Sequence, residues 1–459
     1  MTTPSQFEPF RTRMEEANLP ALFIDTFAHY YEQLVAGETG LIPESEIEPV
    51  TDLPDMEKLS DRLVKVGEAA LAKTAVIKLN GGLGTSMGLE QAKALLPVKK
   101  GLSFLDIIAR QVLQDDVPLL LMNSFNTEAE SLAALAGYGD LSRGLPLSFL
   151  QHKAPKVVQS DLTSATWPDD PELEWCPPGH GDIYTALVTS DTLKALLAAG
   201  FEYAFVSNAD NLGAVIDRRI LGFFAESEAP FLMEVADRTR MDRKGGHLAQ
   251  RRDGQLILRE SAQCPAEDAA AFQDITRYRY FNTNNLWFNL PALQKLLAEQ
   301  NNQLHLPMIR NEKTVDPRDP DSTPVYQLET AMGSAIGVFT GSQALRVPRT
   351  RFAPVKTTED LLGVRSDLYL LTDNFHVVPN PARTLEAIDI RLDDAHYKFV
   401  GQLDDHFPHG VPSLLECERL SLTGSFVFGL DVVCRGVVEL VNDGETAVVI
   451  ADGTVLENK

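Results

Sequence analysis

Residues 74–105 read TAVIKLNGGLGTSMGLEQAKALLPVKKGLSFL, an apolar run that breaks into a glycine-rich turn. Ala75, Val76, Ile77 and Leu79 have the partly β-branched composition of a strand buried on both faces of a parallel sheet. Gly81, Gly82, Gly84 and Gly88 follow at once. Glycines reach φ > 0 and let backbone N–H groups come close to an anion, so the loop reads as a phosphate cradle at the carboxyl edge of the sheet. Lys93 comes shortly after it, then Lys99 and Lys100, all placed to contact the same anion. No Gly-Lys-Ser/Thr ends the loop, so it is not a P-loop. Met87 stands where the third glycine of a dinucleotide fingerprint belongs. Taken alone, the segment is also compatible with a tight strand-to-helix turn that binds nothing.

Downstream, strands and helices alternate. Residues 104–113 are expected to form a helix, and residues 118–122 a buried strand ending at Asn123 and Ser124. Residues 127–135 are expected to be helical, and 147–150 a short strand that stops at Gln151. A helix over 187–197 is followed by a strand over 203–206 that ends in Ser207, Asn208, Ala209 and Asp210. This alternation predicts a mostly parallel sheet covered by helices, with ligands beyond the carboxyl ends of its strands. Four strand ends therefore converge on one crevice: the glycine loop, Asn123, Gln151 and residues 208–210. A strand over 230–234 and a hairpin over 247–258, turning at Asp253-Gly254, come next. In YRYFNTNNLWFNL (278–290), Asn282, Thr283, Asn284 and Asn285 form a polar core between aromatic flanks. Residues 311–324 are expected to be an exposed loop, 325–338 a helix, and RTRFAPVK (349–356) a basic extended segment.

Upstream, residues 7–36 have the apolar spacing of two helices interrupted at Pro20, and 41–56 are expected to be an extended connector. Beyond about residue 400 the chain runs in short β-prone pieces punctuated by glycine and aspartate. These predict a small β-solenoid or compact β-domain, with a β-sandwich fragment as the alternative. Packing or self-association is the use expected of it.

The chain has 459 residues, too many for a typical single core, so two or three domains are expected. Its net charge of −24 argues against general nucleic-acid or anionic-membrane binding, and requires any phosphate site to be locally basic. Cys176, Cys264, Cys417 and Cys434 are scattered without metal-type spacing, as in reduced cytoplasmic proteins. The polar start MTTPSQFEPFRTRMEE lacks an apolar signal core, and no run approaches the roughly 20 apolar residues of a membrane span. A soluble cytoplasmic protein is expected.

Several residues have chemistry to offer the crevice. In WCPPGHGDIY (175–184) two prolines pin the backbone and two glycines free it, presenting fixed backbone groups suited to a base edge, with His180 beside them. Asp210 at a strand end suits Mg²⁺, which is commonly held by one carboxylate together with substrate phosphates and water. The asparagines at 282–285 offer uncharged donors and acceptors for sugar hydroxyls. Lys356, Arg349 and Arg351 are cations placed to neutralise phosphates. A helix-entry turn for the His180 segment and ordinary polar turns for Asp210 and the asparagines are the competing readings. No Ser/His/Asp order or paired-carboxylate pattern stands out.

Together the motifs KLNGGLGTSMG, PPGHGDIY, VSNADNLGA, FNTNNLW, QLETAMGSAIG and VPRTRFAPVKTTEDLLGVRSDLY, with the tail GVPSLLE…GTVLENK, resemble one family in order and content. It is the eukaryotic-type UTP–glucose-1-phosphate uridylyltransferases, or UDP-glucose pyrophosphorylases. The resemblance runs from about residue 57 to the end. One departure is Gln91-Ala92 before Lys93, where the family pattern has Gly-Pro. The resemblance implies an α/β fold: a Rossmann-like nucleotidyltransferase domain with a mixed, mostly parallel sheet, plus a C-terminal left-handed β-helix. The implied division is an N-terminal helical segment and connector (1–56), a catalytic domain (57–382) and the β-helix domain (383–459).

The resemblance also assigns roles. Leu79, Asn80, Gly81, Gly82, Lys93, Gln151, Gly179 and Lys356 would bind UTP, with Gln151 and Gly179 on the uracil. Gly82, His180, Asn208, Asp210, Asn282 and Asn284 would bind the sugar phosphate. Asp210 would hold Mg²⁺ as cofactor, and Lys93, Lys356 and Asp210 would be catalytic. UTP and glucose 1-phosphate are the implied substrates, and the C-terminal domain is a candidate for homo-oligomer contacts. The rivals are a uridylyltransferase for galactose 1-phosphate or N-acetylglucosamine 1-phosphate, a non-catalytic nucleotide-sugar sensor, and an NAD dehydrogenase. The last lacks the acidic residue expected at the next strand end, which is Asn123.

Overall fold

The computed structural model describes residues 4–457. Its centre is a ten-stranded mixed sheet in which Thr74–Asn80 lies between Tyr203–Asn208 and Leu119–Asn123. Ser148–Leu150 continues the same parallel run. The register levels the carboxyl ends: Leu79 pairs with Asn208, Asn80 with Asn123, and Asn123 with Leu150. The convergence expected from the strand ends is therefore present. Beyond Tyr203–Asn208 the sheet turns antiparallel, through Tyr280–Asn289, Phe231–Asp237 and His247–Arg251.

Alternate residues of Thr74–Asn80 feed opposite layers, as a strand's period of two requires. Val76 joins one apolar cluster, and Ala75 and Ile77 join the other. Lys78 breaks this apolar run. It is buried, and its Nζ donates to Ser207 Oγ at 2.7 Å and the Ala214 carbonyl at 2.8 Å. Burial, aided by the Arg351 charge, pushes its pKa down to about 7. Helix Phe104–Asp115 starts with a capping box in which Ser103 and Asp106 satisfy each other's backbone N–H groups, worth about 1 kcal/mol.

The two N-terminal helices are Pro4–Glu16 and Ala21–Val35, joined at Pro20 as expected. Four expectations are corrected. The 41–56 connector contributes Ile47–Pro49, an edge strand paired with His247–Arg251. The helix over 187–197 is two helices, Ile183–Thr189 and Thr192–Ala198, split where Asp191 takes φ 57°. The loop over 311–324 includes most of a strand, Ile309–Thr314. The helix over 325–338 is instead strand Pro324–Glu329, paired antiparallel with Ile309–Thr314, followed by a 3₁₀ turn Met332–Gly337. Val325, Leu328, Ala331, Met332, Ala335 and Ile336 have helical spacing, but strand pairing supplies the backbone partners of the first half.

In the C-terminal part, Asp389–Leu392, Ser413–Thr423, Val433–Val441 and Val455–Glu457 pair successively, all parallel. Phe426–Phe428 and Val448–Ile450 form a second parallel pair. A sandwich fragment would pair antiparallel, so that alternative fails. Leu403, Leu414, Leu420 and Phe428 share one apolar cluster with the Phe104–Asp115 helix.

His247 is fully buried, stacked on Tyr278 at 3.9 Å between ring centroids. Burial is the main cause that pushes its pKa to about 3, and the charges of Arg238 and Arg259 act in the same direction. The folded state thus keeps it neutral while the unfolded chain protonates it near its ordinary pKa of about 6.5. Its contribution to stability is present above that pH and is lost as pH falls towards 3. A His247→Phe variant should lose less denaturant resistance than wild type as pH is lowered through this window. Parallel curves for the two proteins would refute the assignment.

Candidate active site

Beyond the level strand ends lies a cleft of about 560 Å³. Its wall holds Leu79, Asn80, Gly81, Gly82, Lys93, Gln151, Gly179, His180, Asn208 and Asp210. The structure thus brings together all but three of the residues to which the resemblance assigns roles. The exceptions are Lys356, Asn282 and Asn284.

At one end Gln151 Nε2 donates to the Gly179 carbonyl at 3.1 Å. A Cβ on Gly81 would lie 2.9 Å from Gln151 Oε1, so glycine is what lets that amide lie across the loop. Gly82 faces open space: a Cβ there would meet nothing within 4 Å. The loop continues as a 3₁₀ turn, Thr85–Met87, with Gly84 and Gly88 at φ 71° and 72° on either side. The Lys93 N–H returns to the Gly82 carbonyl at 3.0 Å. The Asn80 side chain is buried and donates to Asn123 Oδ1 and Ser131 Oγ, so its amide braces the strand ends.

His180 accepts a hydrogen bond from the Met332 N–H on Nδ1 at 3.0 Å. A backbone N–H can only donate, so the ring proton sits on Nε2. Desolvation pushes the pKa to about 4. His180 is therefore a neutral donor at the cleft, not a cation.

At the other end Lys93 Nζ donates to Asp210 Oδ2 at 2.6 Å, with both side chains partly exposed to the cleft. Asn208, two residues before Asp210 on the same wall, has its Oδ1 buried without a hydrogen-bond partner. An unpartnered oxygen on a wall shared with a carboxylate fits a hard cation completed by phosphate oxygens and water. Among the described residues no group of three acidic, His or Cys side chains could hold a metal alone.

The expected locally basic cleft is corrected. Lys93 faces Asp210, and Lys153 lies 3.8 Å from Glu172, so the wall is balanced in charge. Lys99 leaves the site: it is buried and donates to the carbonyls of Val364, Arg365 and Ser366, capping the helix Thr358–Arg365. Lys100 is exposed in the turn that follows, with φ 50°. Arg351 is buried against Glu234, and Arg349, though exposed, pairs with Asp242 at 2.7 Å, and neither is on the cleft wall.

Lys356 itself is exposed, with Nζ 5.9 Å from the Phe352 ring centroid. Its stem is tethered to the site, because the Val355 N–H donates to the Asp210 carbonyl at 3.2 Å. Asn282 and Asn284 hydrogen-bond each other, Nδ2 to Oδ1 at 2.7 Å, with Asn284 at φ 58°. They form a self-satisfied bulge in Tyr280–Asn289 outside the cleft wall.

Phe125, Asn126, His152, Lys153 and Trp175 also line the cleft and were not anticipated. Lys153 stands 4.7 Å from the Trp175 ring and 5.9 Å from that of Phe125, forming a cation–aromatic rim. The strand-end argument that singled out Gln151 reaches Lys153 as well. His152 is recognisable only in three dimensions, since it stacks on Phe23 of the second N-terminal helix at 4.4 Å and pairs with Asp182.

The sequence profile of the family described as UTP–glucose-1-phosphate uridylyltransferase matches residues 24–435. The chain belongs to this family. It is 43% identical over 395 residues to the UTP–glucose-1-phosphate uridylyltransferase of Saccharomyces cerevisiae, covering 84% of this chain and 78% of the yeast one. With the Solanum tuberosum protein of the same name it shares 38% over 427 residues, covering 91% and 85%. Among solved structures, UDP-glucose pyrophosphorylase from Leishmania major, described in open and closed forms, superposes with a TM-score of 0.90 at 44% identity, covering 100% and 99% of the two chains. A Trypanosoma brucei structure described as UDP-glucose phosphorylase gives 0.87 at 43%, covering 99% of each. The uridylyltransferase family thus accounts for the chain over nearly its whole length. Among the described residues no helix is long and apolar enough to cross a membrane.

Proposed function

We propose that this chain transfers the uridylyl group of UTP to glucose 1-phosphate, giving UDP-glucose and pyrophosphate. The observation that carries this is one cleft in a uridylyltransferase-family chain that joins a glycine cradle, an amide–carbonyl pair at Gln151 and Gly179, and the Lys93–Asp210 pair. An oxygen of glucose 1-phosphate attacks the α-phosphorus of UTP in line. The bond to the β-phosphate oxygen breaks, and pyrophosphate leaves with its electron pair. The attacking phosphate is already ionised, so no protein base is required. The chain's task is to position two anions and to stabilise charge in flight.

Gly81 and Gly82 admit the triphosphate against the backbone, while Gln151 and the Gly179 carbonyl read the uracil edge. His180 offers Nε2–H to a sugar-phosphate oxygen, and Lys93 and Lys356 supply charge to the phosphates. Mg²⁺, held by Asp210 with Asn208 beside it, would supply further neutralisation of the reacting phosphates. Asn282 and Asn284 would serve the sugar only from outside the present wall.

Pyrophosphate release from UTP with a panel of sugar 1-phosphates, with and without Mg²⁺, tests this function. Release with glucose 1-phosphate that stops when the metal is chelated is expected. Release with galactose or N-acetylglucosamine 1-phosphate instead would reassign the sugar, and no release with any sugar would indicate a nucleotide-sugar sensor.

The finer architecture belongs to the same proposal. The parallel C-terminal strands are taken as turns of a left-handed β-helix, with divisions near residues 57 and 383 that limited proteolysis would locate. Exposed Val441, Val448, Val449 and Val455 make that end the candidate self-association surface. A sedimenting mass that stays monomeric at all concentrations would remove it. Four unpaired cysteines support a reducing, cytoplasmic setting.

A further inference from the structure

Asn211 follows Asp210 but is not part of the cleft wall, and it is only 4% exposed. Its side chain makes four hydrogen bonds. Nδ2 donates to Asn285 Oδ1 at 3.1 Å and to the Arg351 carbonyl at 3.2 Å. Oδ1 accepts from the N–H groups of Gly213 at 3.1 Å and Ala353 at 2.9 Å. The capacity of the amide is thereby used in full, and half of it crosses from the turn carrying Asp210 to the segment carrying Lys356.

Behind Asn211 stands a buried ion pair. Arg351 Nε and Nη2 donate to the two Glu234 oxygens at 2.6 and 2.7 Å. Glu234 also accepts from Asn285 Nδ2 at 3.1 Å and Trp287 Nε1 at 2.9 Å. Beside it runs a thin backbone seam, in which the Val355 N–H meets the Asp210 carbonyl at 3.2 Å and the Leu212 N–H meets that of Ala353 at 3.3 Å. Stability alone does not require such a cluster, since apolar side chains of similar volume commonly serve as well as a buried ion pair. What this one does is hold two segments at a fixed separation.

We infer that Asn211, backed by the Glu234–Arg351 pair, is a positioning residue that keeps Asp210 and Lys356 in register across the reacting phosphates. It touches no substrate and acts through the two charged groups it spaces. The inference rests on the proposed uridylyl transfer.

Two variants test it. Asn211→Ala removes the whole strut. Asn211→Ser keeps a short oxygen acceptor for the Gly213 N–H two residues on, but cannot span to Ala353 and Arg351. Both should lower kcat for pyrophosphate release, Asn211→Ala by roughly 10²-fold, the loss expected of a 1 Å misplacement. KM for UTP should rise far less than kcat falls, because the cradle and Gln151 are not touched. Hydrogen exchange at the Val355 amide should quicken in both, while amides of Leu119–Asn123 stay protected. Wild-type kcat in the Ser variant, an unchanged Val355 amide, or a rise in KM with protection lost throughout the sheet would each overturn the strut. Should wild type itself release no pyrophosphate, the proposed reaction fails, while the Val355 amide still reports on the strut. Should Asn211→Ala not fold, Asn211→Ser decides.

Discussion

Lys356→Ala is expected to lower kcat about 10²–10³-fold, the usual cost of removing one preorganised charge partner from a transition state. Thermal stability should change little, because the side chain is exposed, with Nζ 5.9 Å from the Phe352 ring and its charge acting on Glu260. The backbone at this position is held elsewhere, through the Val355 N–H on Asp210 and the Lys356 N–H on Asp360 Oδ2 at 2.8 Å. Lysine is suited to such a post, since a strongly hydrated ammonium on a flexible stem can stay in water until the phosphates arrive. Steady-state kinetics with saturating UTP and glucose 1-phosphate, beside a melting curve, make the measurement. Near-normal turnover in the variant would remove Lys356 from the mechanism.

Gly179→Ala should weaken UTP binding for a different reason. Gly179 has φ 79° and ψ 167°, a region essentially reserved for glycine, where other residues pay about 1–3 kcal/mol. A Cβ would also sit 2.3 Å from the Thr330 carbonyl oxygen and 2.8 Å from its nitrogen, and backbone cannot rotate aside as a side chain can. Relieving the overlap pulls the turn from residue 330, which it grips through Thr330 N–H on the Pro178 carbonyl and Gly181 N–H on the Thr330 carbonyl. Gln151 then loses its carbonyl partner, and His180 loses the Met332 N–H that sets its tautomer. The melting temperature should fall and KM for UTP should rise at least about tenfold, corresponding to 1.4 kcal/mol.

Gly82→Ala is the matching control, because a Cβ there meets nothing and φ is not positive. It should melt like wild type yet bind UTP poorly, since the new methyl occupies the cradle. Equal behaviour of the two glycine variants would show that Gly179 and Gly82 do not divide the work this way.

Much of the site was legible because parallel sheets put their functional loops at strand ends. Once residues 74–80 read as a buried strand, Gln151, Asn208 and Asp210 became neighbours of the glycine loop by topology alone. Side-chain direction was not legible in the same way. Lys93 and Lys99 have similar surroundings in the sequence, yet one enters the cleft and the other caps a helix of the segment leading to the C-terminal part. Arg351 looked like a phosphate ligand because the basic character of 349–356 is local, whereas its partner Glu234 lies 117 residues away. The strand at 324–329 carries helical spacing in its sequence for a related reason. Its pairing partner is another strand, and spacing along one chain carries no record of pairing.

From its sequence alone this chain determined a parallel α/β core, a glycine loop at its carboxyl edge, the family to which it belongs, and a β-rich tail. The core, the loop and the tail follow from periodicity or from local backbone requirements, and the family from the order and content of its motifs. Tertiary structure alone decided that the cleft is balanced in charge, that His180 is a neutral Nε2–H donor, and that Asn211 braces Asp210 against the segment carrying Lys356. Those depend on which distant groups share a buried space, and burial sets both the charge a group can carry and the partner it must have.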